Sequence, residues 1–170
     1  MFSIEQLVED CLEAVRTEGA SGSVAVKDVV ARAVADPAAI EKAIGPAPEQ
    51  PLFSTWFNSE ELTVLNVIWP PGADLTPHDH KMWAAIGLYG GREDNRFFRV
   101  LPEGNLEERG TKVLSERDTV LLGDDTVHQV ANPSKAWTGA IHVYGGDFFI
   151  RGRRLWLDPA APPIEFAAAH

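Results

Sequence analysis

Over residues 2–45 the apolar positions recur at helical spacing, and from residue 52 onward they gather into short runs cut by turn residues. Ile4, Leu7, Val8, Cys11, Leu12 and Val15 share one face of a first helix. Ser3 suits its N-cap, with Gln6 placed to reach back as in a capping box. That run stops around Gly19 and Gly22. A second helix is predicted over Val26–Val34 and a third over Pro37–Ile44. For the third, Asp36 fits the N-cap, Pro37 the first helical position and Gly45 the stop. Cys11, on the apolar face, reads as a small core residue rather than a nucleophile.

The segment Gly45–Pro51, GPAPEQP, reads as a linker. Beyond it the predicted strands are Leu52–Phe57, Leu62–Trp69, Met82–Tyr89, Arg96–Leu101, Thr111–Leu114, Thr119–Leu122, Val127–Ala131, Ala136–Tyr144 and Arg154–Leu157. Pro70-Pro71-Gly72, Gly90-Gly91, Gly123-Asp124-Asp125 and Asn132-Pro133-Ser134 are among the breaks. Many short strands at even spacing indicate a sandwich or barrel. The expected organisation is a helical region over 1–45 packed on a barrel over 52–157, then an irregular tail over 158–170 that ends in a solvated His170. There is no internal repeat.

A chain of 170 residues fits one domain. Its formal net charge of −10 repels phosphate backbones and anionic lipid, so neither nucleic acid nor a membrane surface is expected as a partner. One cysteine cannot form an internal disulfide. The start, MFSIEQLVED, turns acidic at once, unlike a signal peptide, and no apolar run is long enough to span a bilayer. The expected location is the cytoplasm.

The chemistry concentrates in Pro77-His78-Asp79-His80. Residues two apart in a strand point to one face, so His78 and His80 can meet one ion. His128 lies in a later predicted strand that can roll beside the first. Three neutral imidazoles suit Zn, Fe, Cu or Ni and leave coordination positions open. Asp79, between the ligands, should face outward, and Lys81 should point away from His80.

Here the chain resembles the cupins, and within them the thiol dioxygenases typified by cysteine dioxygenase. Gly72, His78, His80 and Gly91 follow the first cupin motif, with Ala84 or Ala85 where that motif usually has glutamate. His128 and Asn132 match the end of the second motif. Loss of the glutamate marks the three-histidine iron sites of thiol dioxygenases. The runs His128, Val130, Asn132, Pro133 and then His142, Tyr144 are also similar to that family. The resemblance covers roughly Leu62 to Phe148. It implies a mainly β fold, the cupin double-stranded β-helix or jelly-roll barrel, with the helical N-terminal region added. It also implies an Fe(II) cofactor on His78, His80 and His128, with a small thiol and dioxygen as substrates and a sulfinate as product. Tyr144 would steer the bound substrate or oxygen, and His142 would orient its hydroxyl.

Three departures bear on the substrate. No cysteine follows the His-x-His segment, so no cross-link to the tyrosine can form there. Ala140 replaces the serine of the family's S-x-H-x-Y run. The strand Leu52–Phe57, where cysteine dioxygenase places its carboxylate-gripping arginine, contains none. Cysteine is therefore not the expected substrate. Arg92 and Arg96, with Arg99 nearby, are the candidates to reach the barrel mouth and pair with a carboxylate; the plainer reading of Arg92–Arg96 is a solvated hairpin. Trp69, Trp83, Phe97, Phe98, Trp137 and Phe149 read as core or pocket wall. Two other readings stand beside the thiol dioxygenase. One is a different metal-dependent enzyme, such as a diketone-cleaving dioxygenase, an isomerase or a lyase. The other is a ligand-binding cupin without turnover.

Overall fold

The computed structural model describes residues 2–45, 52–150 and 152–166. Three helices come first: α1 (Ile4–Glu18), α2 (Gly22–Val34) and α3 (Pro37–Ile44). Ser3 caps α1, its hydroxyl accepting from Gln6 N. Only half of the expected capping box forms, because the Gln6 amide turns forward and donates to Asp10 Oδ1 at 2.8 Å. Asp36 caps α3 by accepting from Ala39 N, with Pro37 in the first turn. Helix α2 starts at Gly22, ahead of the predicted Val26, after a single 3₁₀ turn over Gly19–Ser21. Of the expected linker, Gly45 closes α3 and the remainder lies outside the described residues, as does His170. Among the described residues no helix is long and apolar enough to cross a membrane.

The strands are β1 (Leu52–Asn58), β2 (Thr63–Trp69), β3 (His78–Asp79), β4 (Ala84–Gly90), β5 (Arg92–Val100), β6 (Leu106–Ser115), β7 (Thr119–Leu122), β8 (Val127–Ala131), β9 (Thr138–Tyr144), β10 (Arg153–Leu155) and β11 (Ile164–Phe166). They form two antiparallel sheets, ordered β1-β2-β9-β4-β7 and β11-β10-β3-β8-β5-β6. Neighbours in each sheet are mostly distant in sequence, the signature of a rolled double sheet.

The continuous apolar runs of β2, β4 and β9 have a direct cause. Their sheet is buried on both faces. Val64, Ala85, Ile141 and Val143 face the helices, while Leu65, Ala84, Ile86 and Ala140 face the barrel interior. Helix α2 lies across this sheet at Gly87, where a Cβ would stand 2.6 Å from Val30 Cγ1. Cys11 is fully buried among the helices, in a core separate from the barrel interior. Burial pushes its thiol up to about 12.

Two expectations are corrected. Arg92–Arg96 is not a solvated hairpin but the start of β5, because Glu93 and Asn95 alternate into the interior while Arg92 and Arg96 face solvent. Its partner β6 is correspondingly longer than the predicted Thr111–Leu114. The tail is not wholly irregular. Ile164–Phe166 pairs with β10 in the register Arg153↔Phe166 and Leu155↔Ile164.

Candidate metal centre

Strand register assembles the site. His78 on β3 lies directly opposite His128 on β8. Strand β10 pairs β3 on its other side, with Leu155 opposite His78. Continued antiparallel, that register sets Arg154 against Asp79 and Arg153 against His80. Side chains alternate across a strand. Arg153 therefore turns inward with the histidines, and Arg154 turns outward with Asp79.

One ring nitrogen from each of His78, His80 and His128 lies within 4.8 Å of the others. The Nε2 atoms of His80 and His128 are 3.0 Å apart. His78 Nδ1 donates to the Thr76 carbonyl at 2.9 Å, and His128 Nδ1 donates to Asn95 Oδ1 at 2.8 Å. Each bond fixes a tautomer that leaves Nε2 with its lone pair toward the cavity. Burial is the largest cause that keeps all three rings neutral: His78 is pulled down to about 4, and His80 and His128 fall well below the ordinary value. Neutral, converging imidazoles are what a divalent transition metal needs. Among the described residues no carboxylate joins the cluster. At the place of the missing glutamate, Ala84 faces the interior and Ala85 the helices. The donor set thus fits a metal and leaves its charge unneutralised.

His80 differs from the other two. Arg153 Nη2 donates to its Nδ1 at 3.0 Å. A guanidinium has no acceptor, so His80 Nδ1 must accept, and its proton sits on Nε2 facing His128. To hold an ion through Nε2 and stay neutral, the ring would carry its proton on Nδ1 instead, and the Arg153 guanidinium would turn from His80 into the cavity. Arg153 is held further by bonds from Nε to the Asp79 carbonyl and from Nη1 to the Phe148 carbonyl. It also lies 4.2 Å over the Phe148 ring and 4.8 Å over the Phe166 ring. Its side chain is buried, so the charge is fixed and poorly screened.

Behind His128 a buried chain continues. Asn95 Nδ2 donates to Glu93 Oε1 at 2.9 Å, and Glu93 is fully buried. Burial pushes the Glu93 carboxyl up to about 7, with the hydrogen bond from Asn95 opposing.

His142 and Tyr144, both inward on β9, meet each other: His142 Nδ1 lies 2.9 Å from the Tyr144 hydroxyl. His142 Nε2 is buried with no partner. In either tautomer the pair has one N–H or O–H left over. The Tyr144 ring lies 5.0 Å from the His80 ring. Burial raises the Tyr144 phenol and lowers His142 to about 3. Both are uncharged at neutral pH.

These groups line one cavity of about 630 Å³, which also takes in Phe53 and Thr55 of β1, Leu65, Trp69, Val130, Phe149 and Leu155. Where an arginine was sought on β1, Phe53 and Thr55 face the cavity instead. Arg92 and Arg96 do not line it, which corrects the expectation that one of them reaches the mouth. Arg92 pairs with Asp94 at 2.6 Å, and Arg96 pairs with Glu108 of β6, all on the outer face of the sheet. Arg99 pairs with Glu107 at 2.9 Å, also outside. Asp79 does point away from the histidines, but it is buried, not surface. It accepts from Arg154 Nε at 2.6 Å and lies 3.3 Å from Lys81 Nζ. Asn132 is a latch, donating to the Ala136 carbonyl at 2.8 Å and accepting from Ser134. Arg153, Asn95 and Glu93 were not legible as site residues. The only local hint was the run Arg151-Gly152-Arg153-Arg154, which does not say which arginine turns inward.

No protein-family model matches the chain. Solved structures show its fold. A conserved protein with a double-stranded β-helix domain from Klebsiella pneumoniae superposes with a TM-score of 0.52 at 14% identity, over 68% of this chain and 87% of its own. An RmlC-like cupin family protein with a double-stranded β-helix fold from Methanocaldococcus jannaschii gives 0.51 at 10% identity, over 61% and 87%. The cupin domain of Schizosaccharomyces pombe Cnp3 gives 0.50 at 14%, over 61% and 66%. The chain has the cupin double-stranded β-helix fold, and its three-histidine cluster can bind a metal ion.

Proposed function

We propose that the protein is a non-haem iron dioxygenase that oxidises a carboxylate-bearing thiol, other than cysteine, to a sulfinate. The observation that carries this reading is the convergence of three neutral histidines, without a carboxylate, beside a buried arginine and an orphaned His–Tyr donor pair. A ferrous ion held by His78, His80 and His128 would supply the redox chemistry that lets dioxygen react with a thiolate. Overall, one thiol and one dioxygen give one sulfinic acid. Both oxygen atoms end on sulfur, sulfur is oxidised, dioxygen is reduced, and the thiol proton leaves with the sulfinic acid's ionisation.

The chain's own residues set the geometry. Arg153 presents the buried cation to the substrate carboxylate. The His142–Tyr144 pair supplies a hydrogen-bond donor aimed at oxygen where negative charge develops. Phe148 and Phe149 keep water from the floor of the cavity. An amino thiol fits less well. The only carboxylate among the described lining residues is Asp74, which is exposed and accepts from Gln129. A buried ammonium would lack a partner.

The test is oxygen uptake by the iron-loaded protein with small thiols and diketones. Uptake with mercapto acids, and sulfinate recovered one-to-one with oxygen, supports the reading. Uptake only with diketones, or none with any thiol, overturns it in favour of another metal-dependent reaction.

A further inference from the structure

The cavity is larger and less polar than a two- or three-carbon thiol requires. At about 30 Å³ per molecule of liquid water, 630 Å³ corresponds to roughly twenty waters. A mercapto acid of six or seven heavy atoms, at about 20 Å³ each, would displace about a quarter of them. The rest would remain against apolar wall, an unfavourable arrangement.

Polarity is graded along the cavity. The floor, buried, carries the histidines, Tyr144 and Arg153. Leu65 and Val130, both buried, and Leu75 and Leu155, both half-buried, make the apolar wall. The outer part holds Phe53 and Trp69, packed edge to face with ring centroids 4.8 Å apart, and Phe53 is half exposed. Among the described lining residues the charged groups are Arg153 at the floor and Asp74 at the rim. The wall between them offers nothing charged.

Resting on the dioxygenase reading, we infer that the substrate is a mercapto acid with a bulky apolar body, aliphatic or aromatic, of about fifteen heavy atoms or more in all. Its carboxylate and sulfur lie at the floor, and its body runs outward along the Leu65, Leu75, Val130 and Leu155 wall toward Phe53 and Trp69. Each methylene drawn from water onto that wall adds about fourfold in affinity until the cavity fills.

Two measurements test this, and they separate it from the reading it rests on. The first is calorimetric binding of butanoate, hexanoate, octanoate and 4-phenylbutanoate, which contain no thiol and need no turnover. Affinity should rise about fourfold per methylene, and Leu75→Trp, which narrows the wall, should flatten the rise. The second is oxygen uptake by the iron-loaded protein with 2-mercapto acids whose side chain lengthens from methyl to hexyl, where kcat/KM should climb in parallel. A flat series in both overturns the inference. Oxidation of short thiols with no gain from length leaves the dioxygenase reading standing and this inference refuted. Length-dependent carboxylate binding with no thiol oxidised supports the apolar-bodied acid as the ligand and refutes the reaction.

Discussion

Arg153 Nη2 lies 3.0 Å from His80 Nδ1, so the buried cation of the cavity touches a candidate metal ligand. That contact sets the cavity's buried cation beside the candidate metal ligands.

Arg153→Lys keeps a positive charge but loses the planar fork. The Michaelis constant for a carboxylated thiol should rise roughly ten- to a hundredfold, in line with loss of one charge-assisted hydrogen bond. An uncharged thiol should change much less. By contrast, Arg92→Ala and Arg96→Ala remove only exposed contacts: ion pairs at both and, at Arg96, a bond to Gln129 and a contact over the Phe98 ring. They should leave kinetics unaltered and shift stability by less than about 0.5 kcal/mol. Steady-state kinetics on both thiols checks all three, and a strong Michaelis effect at Arg92 would overturn the geometry described for β5.

Metal retention depends on the cross-strand pair His78 and His128. Wild type should bind one equivalent of divalent metal, and His78→Ala and His128→Ala should each lose most of it. Elemental analysis after desalting measures this. Full occupancy in both variants is the outcome that sinks the site.

Tyr144→Phe should keep the metal and lose oxygen-consuming turnover about ten- to a thousandfold, the effect of removing one positioned donor. Because burial raises the phenol, its ionisation should contribute no alkaline limb below about pH 10. Unchanged turnover would make Tyr144 a packing residue beside Phe148, whose ring centroid lies 4.5 Å away.

Glu93 gives a pH signature. Its carboxyl is pushed up to about 7 in the folded protein from an ordinary 4.5. The folded state holds the proton more tightly, so the group stabilises below pH 4.5 and that stability is lost as pH rises through 7. Two and a half units correspond to at most about 3 kcal/mol. The buried histidines act oppositely. Their folded-state values are lowered, so their contribution is present above pH 6.5 and fades as pH falls. Comparison with Glu93→Gln cancels the histidine part. Relative to that variant, wild type should lose stability between pH 4.5 and 7.5 in denaturant titrations. A difference that does not vary with pH would place the Glu93 carboxylate in contact with solvent.

Local pattern made much of this molecule legible. The helical spacing of Leu7, Val8 and Cys11 and the caps at Ser3 and Asp36 reappear as α1 and α3. Propensity, capping and turn chemistry act between near neighbours, so the chain itself carries them. His78 and His80 share a cavity because alternation is likewise local, and His128 was legible as a third histidine on a later strand able to roll beside them, which the resemblance to cupins supported.

What the sequence could not decide is what faces what across strands. Arg92 and Arg153 are both arginines at the start of a strand. One pairs with Asp94 in solvent; the other is buried against Phe148 and His80. Both strands are paired on both sides, β5 between β8 and β6 and β10 between β3 and β11, and the difference is which residue the register turns inward: Glu93 rather than Arg92 on β5, Arg153 rather than Arg154 on β10. Asn95 and Glu93 were read as solvated because polar residues in a polar run usually are. Only the rolled sheet, which brings His128 within 2.8 Å of Asn95, gives their burial a purpose. Sequence thus determined most of the elements and the candidate metal ligands. Tertiary structure chose the inward cation, the chain behind His128 and the size of the cavity, because each depends on contacts between strands far apart in the chain.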